Sequence, residues 1–404
     1  MGMAKDMQMA EEEQGWSYSE KQVCERCVAD PSLADAVATG ADAEEVCDFC
    51  GKKGAAALDV LLDAFVRGVS WEYTDADSAL VPWDGREGGY QARTYDRWEL
   101  VDLFVDAFAA DGLAEAVADS LADVAWASRD WAWRDRDVVL NDAWAAFSDQ
   151  VKYRTRYVIW LIEDDASRRE TRYTGEIPVG DVLHDIGRLL DELAMLTVIP
   201  AGSSLWRAQI HSTDSLEPMP NASRLGTSPR EYAKQPNRMS PAGIPMFYGA
   251  LDKQTALDEV VRHNLAHEPY ATLGAFALSS PITVVDFDRL PEEPTIFHPT
   301  LGYLRREIAF LHKFVKEMSA PVAPGDEGIE YVPTQVVTEF FLRVLQPASG
   351  ATITGLAYAS AVRAGGRSVV IDIPHENCLE SADPTTGHEP ALVLDPASVQ
   401  RVSL

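Results

Sequence analysis

No stretch of this 404-residue sequence is long and apolar enough to cross a membrane, because Asp or Glu interrupts each apolar run well short of that length. Basic residues are few: 35 Lys and Arg stand against 64 Asp and Glu, a formal net charge of −29. Such a field repels nucleic acid and anionic membranes at long range, so neither is expected as a partner. It also repels nucleotides. A phosphate-bearing ligand must therefore be held by local positive charge, and an arginine inside an acidic or apolar stretch becomes informative. The N-terminal MGMAKDMQMAEEEQ lacks the charged-then-apolar order of a signal peptide, and Asp6 spoils a myristoylation motif. A cytoplasmic protein with reduced thiols is expected, and disulfides are not.

What is present is an ordinary globular composition, 46% hydrophobic and 25% charged, in a chain long enough for two or three domains. Four of the five cysteines fall in two pairs, Cys24-x-x-Cys27 and Cys47-x-x-Cys50, and Cys378 stands apart. Each pair turns tightly enough for both sulfurs to reach one ion, and four thiolates complete a tetrahedral shell with no open position. The spacing predicts a structural zinc site, weighed against four unrelated cysteines or a redox pair. Cys378 reads as a buried, neutral thiol.

Residues 1–20 read as a disordered tail, 21–55 as the zinc motif, 56–195 as a helical domain and 196–404 as a separate domain. In the helical part, TYDRWELVDLFVDAFAADG predicts one helix from an N-cap at Thr94 to Gly112, with Leu100, Val101, Phe104, Val105 and Phe108 on one stripe. LAEAVADSLADVAW continues as a second helix, and NDAWAAFSDQV opens on Asn141 and buries Trp144, Phe147 and Val151. VGDVLHDIGRLLDELAML repeats the stripe. Most tryptophans precede residue 170, which suggests a bundle with a Trp-rich core. After Ile199-Pro200-Ala201-Gly202 the pattern changes to short β-type runs: SLWRAQI, PMFYGA, ATLGAFAL, ITVVDF, ITGLAYAS and RSVVIDI. Two helical stretches, DKQTALDEVVRHNLA and YVPTQVVTEFFLRVL, interrupt them. The fold class is α+β: an N-terminal zinc-binding helical domain followed by a mixed α+β domain.

The segment from Asn237 to Val260, NRMSPAGIPMFYGALDKQTALDEV, concentrates chemistry that a core does not need. Arg238 precedes a loop stiffened by Pro241 and Pro245, and Tyr248 ends a strand where Gly249 lets the chain turn. Asp252 can cap a helix whose buried stripe is Ala256, Leu257, Val260 and Val261. Glu259 lies roughly 60° outside that stripe, from about 100° per residue. A carboxylate there is partly desolvated while facing a cleft. Arg207, between Trp206 and Ala208 in a β-run, needs an anion or a wet cleft. Taken singly, each has a bland reading: an edge-strand arginine, a packed tyrosine, a solvated glutamate. Together they suit an anionic, aromatic, ribose-containing ligand.

The succession of Trp206-Arg207, Asn237 to Ala250, Thr255 to Glu259, and Gly355 to Ser360 followed by Gly365-Gly366 resembles the RES domain family, named for its arginine, glutamate and serine. The paired cysteines and WAAFSDQVKYRTRYV are similar to the region that precedes some RES domains in HEPN/RES N-terminal proteins. The resemblance implies a fold similar to the ADP-ribosyltransferase toxins and an NAD-degrading activity, often a bacterial toxin's, with a defence role a further implication. It implies that Arg207 and Arg238 grip pyrophosphate or an attacking phosphate, and that Tyr248 stacks on nicotinamide or ribose. Glu259 would hold the ribose and stabilise charge at its anomeric carbon. Ser360 would hydrogen-bond the substrate or Glu259. Water as acceptor gives a glycohydrolase, inorganic phosphate a phosphorylase, and a protein side chain a transferase. Transferases of the related fold often carry Glu or Gln two residues before the catalytic Glu, where this sequence has Leu257. A non-catalytic nucleotide-binding module is the remaining alternative. HEPN ribonucleases use Arg, four to six residues, then His, and residues 55–190 lack that spacing. Arg262 with His267 and Arg306 with His312 fit it, but both fall in the RES-like half and read as chance. The helical part is then expected to sense, dock or oligomerise. Homo-oligomerisation, an antitoxin and a trigger all stay open.

Overall fold

The computed structural model describes residues 14–86, 88–159, 176–214, 220–262, 268–320, 322–323, 325–380 and 389–404. The chain condenses into two compact units, Met1–Val139 with Pro291–Phe310, and Leu140–Leu290 with Leu311–Leu404. Among the described residues no helix is long and apolar enough to cross a membrane.

In the first unit, strands β1 (Gln22–Val23), β2 (Asp42–Val46) and β3 (Lys53–Ala57) form one small sheet in the order β1-β3-β2. Helix α1 (Pro31–Thr39) starts with Pro31 at its first turn and Asp30 as cap, whose side chain accepts from the Leu33 N–H at 3.0 Å. Helix α2 (Leu58–Val69) buries Leu58, Leu61, Leu62, Phe65 and Val69 as the centre of the core. β4 (Tyr73–Asp75), β5 (Trp83–Asp84), β6 (Gly89–Tyr90), β7 (Thr94–Tyr95) and β8 (Trp126–Ser128) make a second three-stranded sheet, β4-β8-β7, and a hairpin, β5-β6. Helices α3 (Arg97–Asp102) and α4 (Leu113–Ser120) complete the set. The region is thus α+β, and the expected purely helical bundle is corrected.

The single helix expected from Thr94 is interrupted. Thr94 lies in β7, and Asp96 caps α3 instead, in a reciprocal capping box with Glu99. The helix ends by Leu103. Beyond it the Ala107 carbonyl accepts from the N–H groups of Ala29 and Asp30, and Val28 pairs with Phe108. Pairing to a distant segment wins over helix propensity, and Phe104 turns in toward the Phe65 ring, 5.9 Å away. The Trp-rich core is also corrected. Trp71, Trp83, Trp98 and Trp133 are exposed, and Leu, Val and Phe fill the space. Residues 14–20 are no tail: Trp16 is buried, pairs with Leu121, and the Ser19 N–H donates to Asp59 at 2.9 Å. Residues 1–13 and Trp160 lie outside the described residues.

Residues 291–310, expected to belong to the C-terminal domain, pack in the first unit. Phe297 stacks on Phe65 with ring centroids 5.2 Å apart, beside Gly68, where a Cβ would come within 2.6 Å of the Phe297 ring. Arg305 and Arg306 both donate to Glu72; Arg306 Nη2 reaches Glu72 Oε2 at 2.8 Å and its Nη1 reaches Asp135 at 2.7 Å. Arg306 is therefore engaged in ion pairs.

The second unit holds a nine-stranded mixed sheet. Its strands are β9 (Leu196–Ile199), β10 (Ser204–His211), β11 (Phe247–Ala250), β12 (Tyr270–Leu278), β13 (Ile282–Asp286), β14 (Ile353–Ala359), β15 (Arg367–Ile371), β16 (Cys378–Leu379) and β17 (Leu392–Ser403). They lie in the order β16-β17-β12-β10-β11-β15-β14-β13-β9. Each of the six expected strands is present. One face carries Leu205, Phe247, Phe276, Val369 and Ile371, and the other carries Ala208, Ala250 and Leu273 under helix α7 (Lys253–Arg262). Helix α5 (Arg136–Tyr153) opens before Asn141 and buries Trp144, Phe147 and Val151. Helix α6 (Val182–Glu192) has the expected buried stripe, but its His184 ring meets Phe340 at 5.0 Å, so it packs within the second unit rather than closing a domain at residue 195. Helices α8 (Arg305–Ser319) and α9 (Val332–Arg343) follow.

Burial pushes the Glu72 carboxyl up, but hydrogen bonds and charge from Arg305 and Arg306 outweigh it and hold the group below the ordinary carboxylate range. Its contribution to stability is present above the unfolded carboxylate's value and is lost as pH falls through the folded one. Glu72→Gln should destabilise the protein by about 1–2 kcal/mol near pH 7, since the arginines are partly exposed. The gap should close below about pH 4. Urea denaturation across pH checks this, and a gap that persists in acid would contradict the assignment.

Candidate active site

Helix α7 begins where Asp252 accepts from the Thr255 N–H at 2.9 Å and from its hydroxyl at 2.5 Å. Thr255 is fully buried because Gly366 presses on it; a Cβ at Gly366 would lie 2.4 Å from Thr255 Oγ1. Arg363 pairs with Asp258 at 3.3 Å and Arg262 donates to the Ala361 carbonyl at 3.0 Å. These contacts fix α7 against the β14–β15 turn. Ala256 is buried and Leu257 and Val260 pack beside it, but Val261, expected in the stripe, is exposed. Glu259 is half-buried on the flank, as its helical angle predicts.

The Glu259 carboxylate accepts two hydroxyl hydrogen bonds on one oxygen. Ser360 Oγ donates to Oε1 at 2.6 Å and Ser368 Oγ donates to the same atom at 3.1 Å. Ser360 sits at the end of β14, and its Oγ accepts from the Val362 N–H at 3.3 Å. Of the two roles implied for Ser360, the structure has the bond to Glu259.

Strands β10 and β11 share a single ladder pair, Trp206 with Ala250, and a cavity of about 370 Å³ is lined from both where the ladder stops. That volume lies within the range of small-molecule sites, about 300–1,000 Å³. Arg207, Tyr248 and Glu259 all line it. The Arg207 guanidinium bridges the split, donating to the Tyr248 carbonyl at 3.2 Å and lying 5.2 Å over the Phe247 ring. Its Nε is buried without a hydrogen-bond partner. Burial pulls Arg207 down to about 10, so it remains a cation at neutral pH. Burial pushes Tyr248 up to about 12, and its hydroxyl is held by Ser240 Oγ at 3.0 Å and the Met239 N–H at 3.3 Å.

Arg238 is placed differently from what the sequence suggests. It is absent from the cavity lining, and its Nη1 donates to the carbonyls of Met318 at 3.0 Å and Ala320 at 2.6 Å, capping the end of α8. Its guanidinium lies 5.6 Å from the Tyr331 ring centre. Free helix-end carbonyls attract a cation as an anionic ligand would, and the sequence does not show which is near. The surrounding Asn237–Ser240 turn is clamped by α9, with Gln335 donating to the Asn237 carbonyl at 2.8 Å and Thr334 to that of Arg238 at 2.6 Å. Ser368 and Tyr358, both of which line the cavity, received no role from the sequence. Tyr358 stands in the Gly-Leu-x-Tyr-x-Ser run, and Ser368 is the one hydroxyl in the apolar strand RSVVI.

In the first unit, Cys24 precedes and Cys27 ends a single 3₁₀ turn after β1, while Cys47 and Cys50 follow β2. Their four sulfurs lie within 4.8 Å of one another, with neighbouring separations of 3.4 to 3.7 Å. A tetrahedron of sulfurs about 2.3 Å from a central ion has edges of about 3.8 Å, so the cluster has the geometry to hold a metal such as zinc. Cys378 is buried, and burial pushes its thiol up, so it stays protonated.

The chain is thus a two-unit α+β protein with a four-thiol metal-type cluster in one unit and an arginine–tyrosine–glutamate cleft in the other. Residues 204–395 match the RES domain, and residues 40–165 match HEPN/RES N-terminal domain 1. The chain thus carries a RES domain, with a HEPN/RES N-terminal region before it. The second cysteine pair falls inside the N-terminal match and the first pair precedes it. A search of the curated proteins finds no match.

Metal analysis of the purified protein should find about one zinc per chain. Cys27→Ser should lose the ion and lower Tm. Metal-free protein of undiminished stability would rule the site out.

Proposed function

We propose that this protein cleaves the bond between nicotinamide and ribose in NAD+, as members of the RES family do. The carrying observation is the half-buried Glu259 carboxylate, oriented by two serine hydroxyls, in one cavity with the Arg207 guanidinium and the Tyr248 ring. Nicotinamide is cationic in NAD+, so the breaking C–N bond returns its electron pair to the ring nitrogen and the ring departs neutral, without a general acid. Positive charge develops on the anomeric carbon, and a fixed carboxylate beside it lowers that barrier, as in glycoside hydrolysis. Arg207 supplies the positive charge that a pyrophosphate needs within so acidic a protein. Tyr248 offers an aromatic wall for nicotinamide or ribose. A fold similar to the ADP-ribosyltransferase toxins is part of this proposal, as are a cytoplasmic setting, a toxin or defence role and a zinc ion at Cys24, Cys27, Cys47 and Cys50.

The family resemblance favours phosphate as acceptor, giving ADP-ribose-1″-phosphate. One observation favours water instead. With Arg238 bound to the Met318 and Ala320 carbonyls, Arg207 alone of the two arginines lines the cavity, so recruitment of a second anion needs Arg238 to leave its cap. In hydrolysis the water oxygen joins the anomeric carbon and its proton passes to solvent. Transfer to a macromolecule ranks below both because Leu257 occupies the place of the second acidic or amide residue.

Incubating the protein with NAD+, with and without phosphate, separates these outcomes. Nicotinamide with ADP-ribose-1″-phosphate supports phosphorolysis, and nicotinamide with plain ADP-ribose supports hydrolysis. Intact NAD+ supports a binding module. Glu259→Ala should lower turnover at least about 10²-fold while leaving Tm within a few degrees; turnover equal to wild type would refute the mechanism.

A further inference from the structure

We infer that Ser368 is a positioning residue which, together with Ser360, fixes the Glu259 carboxylate in its working orientation. This rests on the reading of Glu259 given above. Ser368 is buried in the middle of the sheet, 4% exposed, opposite Ala250 on one neighbouring strand and Tyr358 on the other. That register turns its hydroxyl to the α7 side. A buried β-strand position favours Val or Ile, and a hydroxyl there is costly unless bonded. Its partner is Oε1 of Glu259, at 3.1 Å.

Ser360 reaches the same oxygen from a different place. It stands at the start of the turn, where the Val362 N–H bonds its Oγ, and donates at 2.6 Å. The Ser360 hydroxyl by itself fixes that oxygen at one point. Two donors on separate stretches of backbone, one in the turn and one inside β15, restrain both its position and its plane. Such bonds to an ionised group are among the stronger ones, and a catalytic carboxylate loses rate when displaced by even about 1 Å.

The test measures NAD+ turnover by wild type, Ser368→Ala, Ser368→Cys and Ser368→Thr, with Tm as a check on folding. Cysteine fills nearly the same space but donates weakly. Ser368→Ala and Ser368→Cys should each lower kcat about tenfold with KM for NAD+ within about twofold, and Ser368→Thr should keep most activity. Combined with Ser360→Ala, the losses should fall short of their product, because both residues act through one atom. A Ser368→Cys variant with wild-type kcat would reduce Ser368 to packing, and a raised KM at unchanged kcat would place it on the substrate; either overturns the inference. Crystal structures of wild type and Ser368→Ala give a readout free of turnover. The Glu259 carboxylate should turn about its Ser360 contact in the variant, and an unmoved carboxylate overturns the inference. If wild type leaves NAD+ intact, the functional reading fails, while the crystal comparison still decides the role of Ser368.

Discussion

One carboxylate that accepts from two serine hydroxyls organises the cleft. Glu259 Oε1 accepts from Ser360 and Ser368, and so ties α7 to both ends of the turn between β14 and β15. The arrangement depends on register. Ser368 faces α7 because β15 pairs Ser368 with Ala250, and a slip of one residue would turn it to the opposite face of the sheet. The helix is seated as strictly: Asp252 caps Thr255, and Thr255 rests where Gly366 leaves no room for a side chain. The site geometry is therefore a consequence of strand pairing and close packing.

The cleft exists because a ladder ends early. β10 and β12 pair along the whole of β10, but β10 and β11 meet only at Trp206 and Ala250. Where the backbone ladder stops, the Arg207 side chain takes over, bonding to a carbonyl of the neighbouring strand. Register places Arg207 on the Leu205 side of β10 and Tyr248 on the α7 side of β11, and the split lets both line one cavity. The first unit is secured by other means. A thiol cluster gathers its N-terminal strands, and a half-buried glutamate holds two arginines from residues far along the chain.

The legible parts of this protein were those written in local pattern. Period-two apolar runs marked the six strands, and the helical angle of Glu259 placed it on a flank. Cysteine spacing located the four-thiol cluster. The misreadings have a common cause: a local signal overridden by a distant partner. The run from Thr94 to Gly112 has helical periodicity, yet Val28 and Ala29 pair with its second half and straighten it. Arg238 has the look of an anion binder, yet the end of α8 supplies carbonyls that take its charge. Ser368 was readable only as a hydroxyl out of place in an apolar strand.

The sequence by itself determined the α+β class, the strands of the C-terminal half and the four-thiol cluster, because each follows from periodicity or short spacing. Only tertiary structure decided that residues 291–310 pack with the N-terminal unit, that Arg207 and not Arg238 lines the cavity, and that a second serine shares the carboxylate oxygen. Those outcomes turn on contacts between residues tens to hundreds of positions apart. Such contacts are set by strand register and by the space left between packed elements, which no local stretch of sequence records.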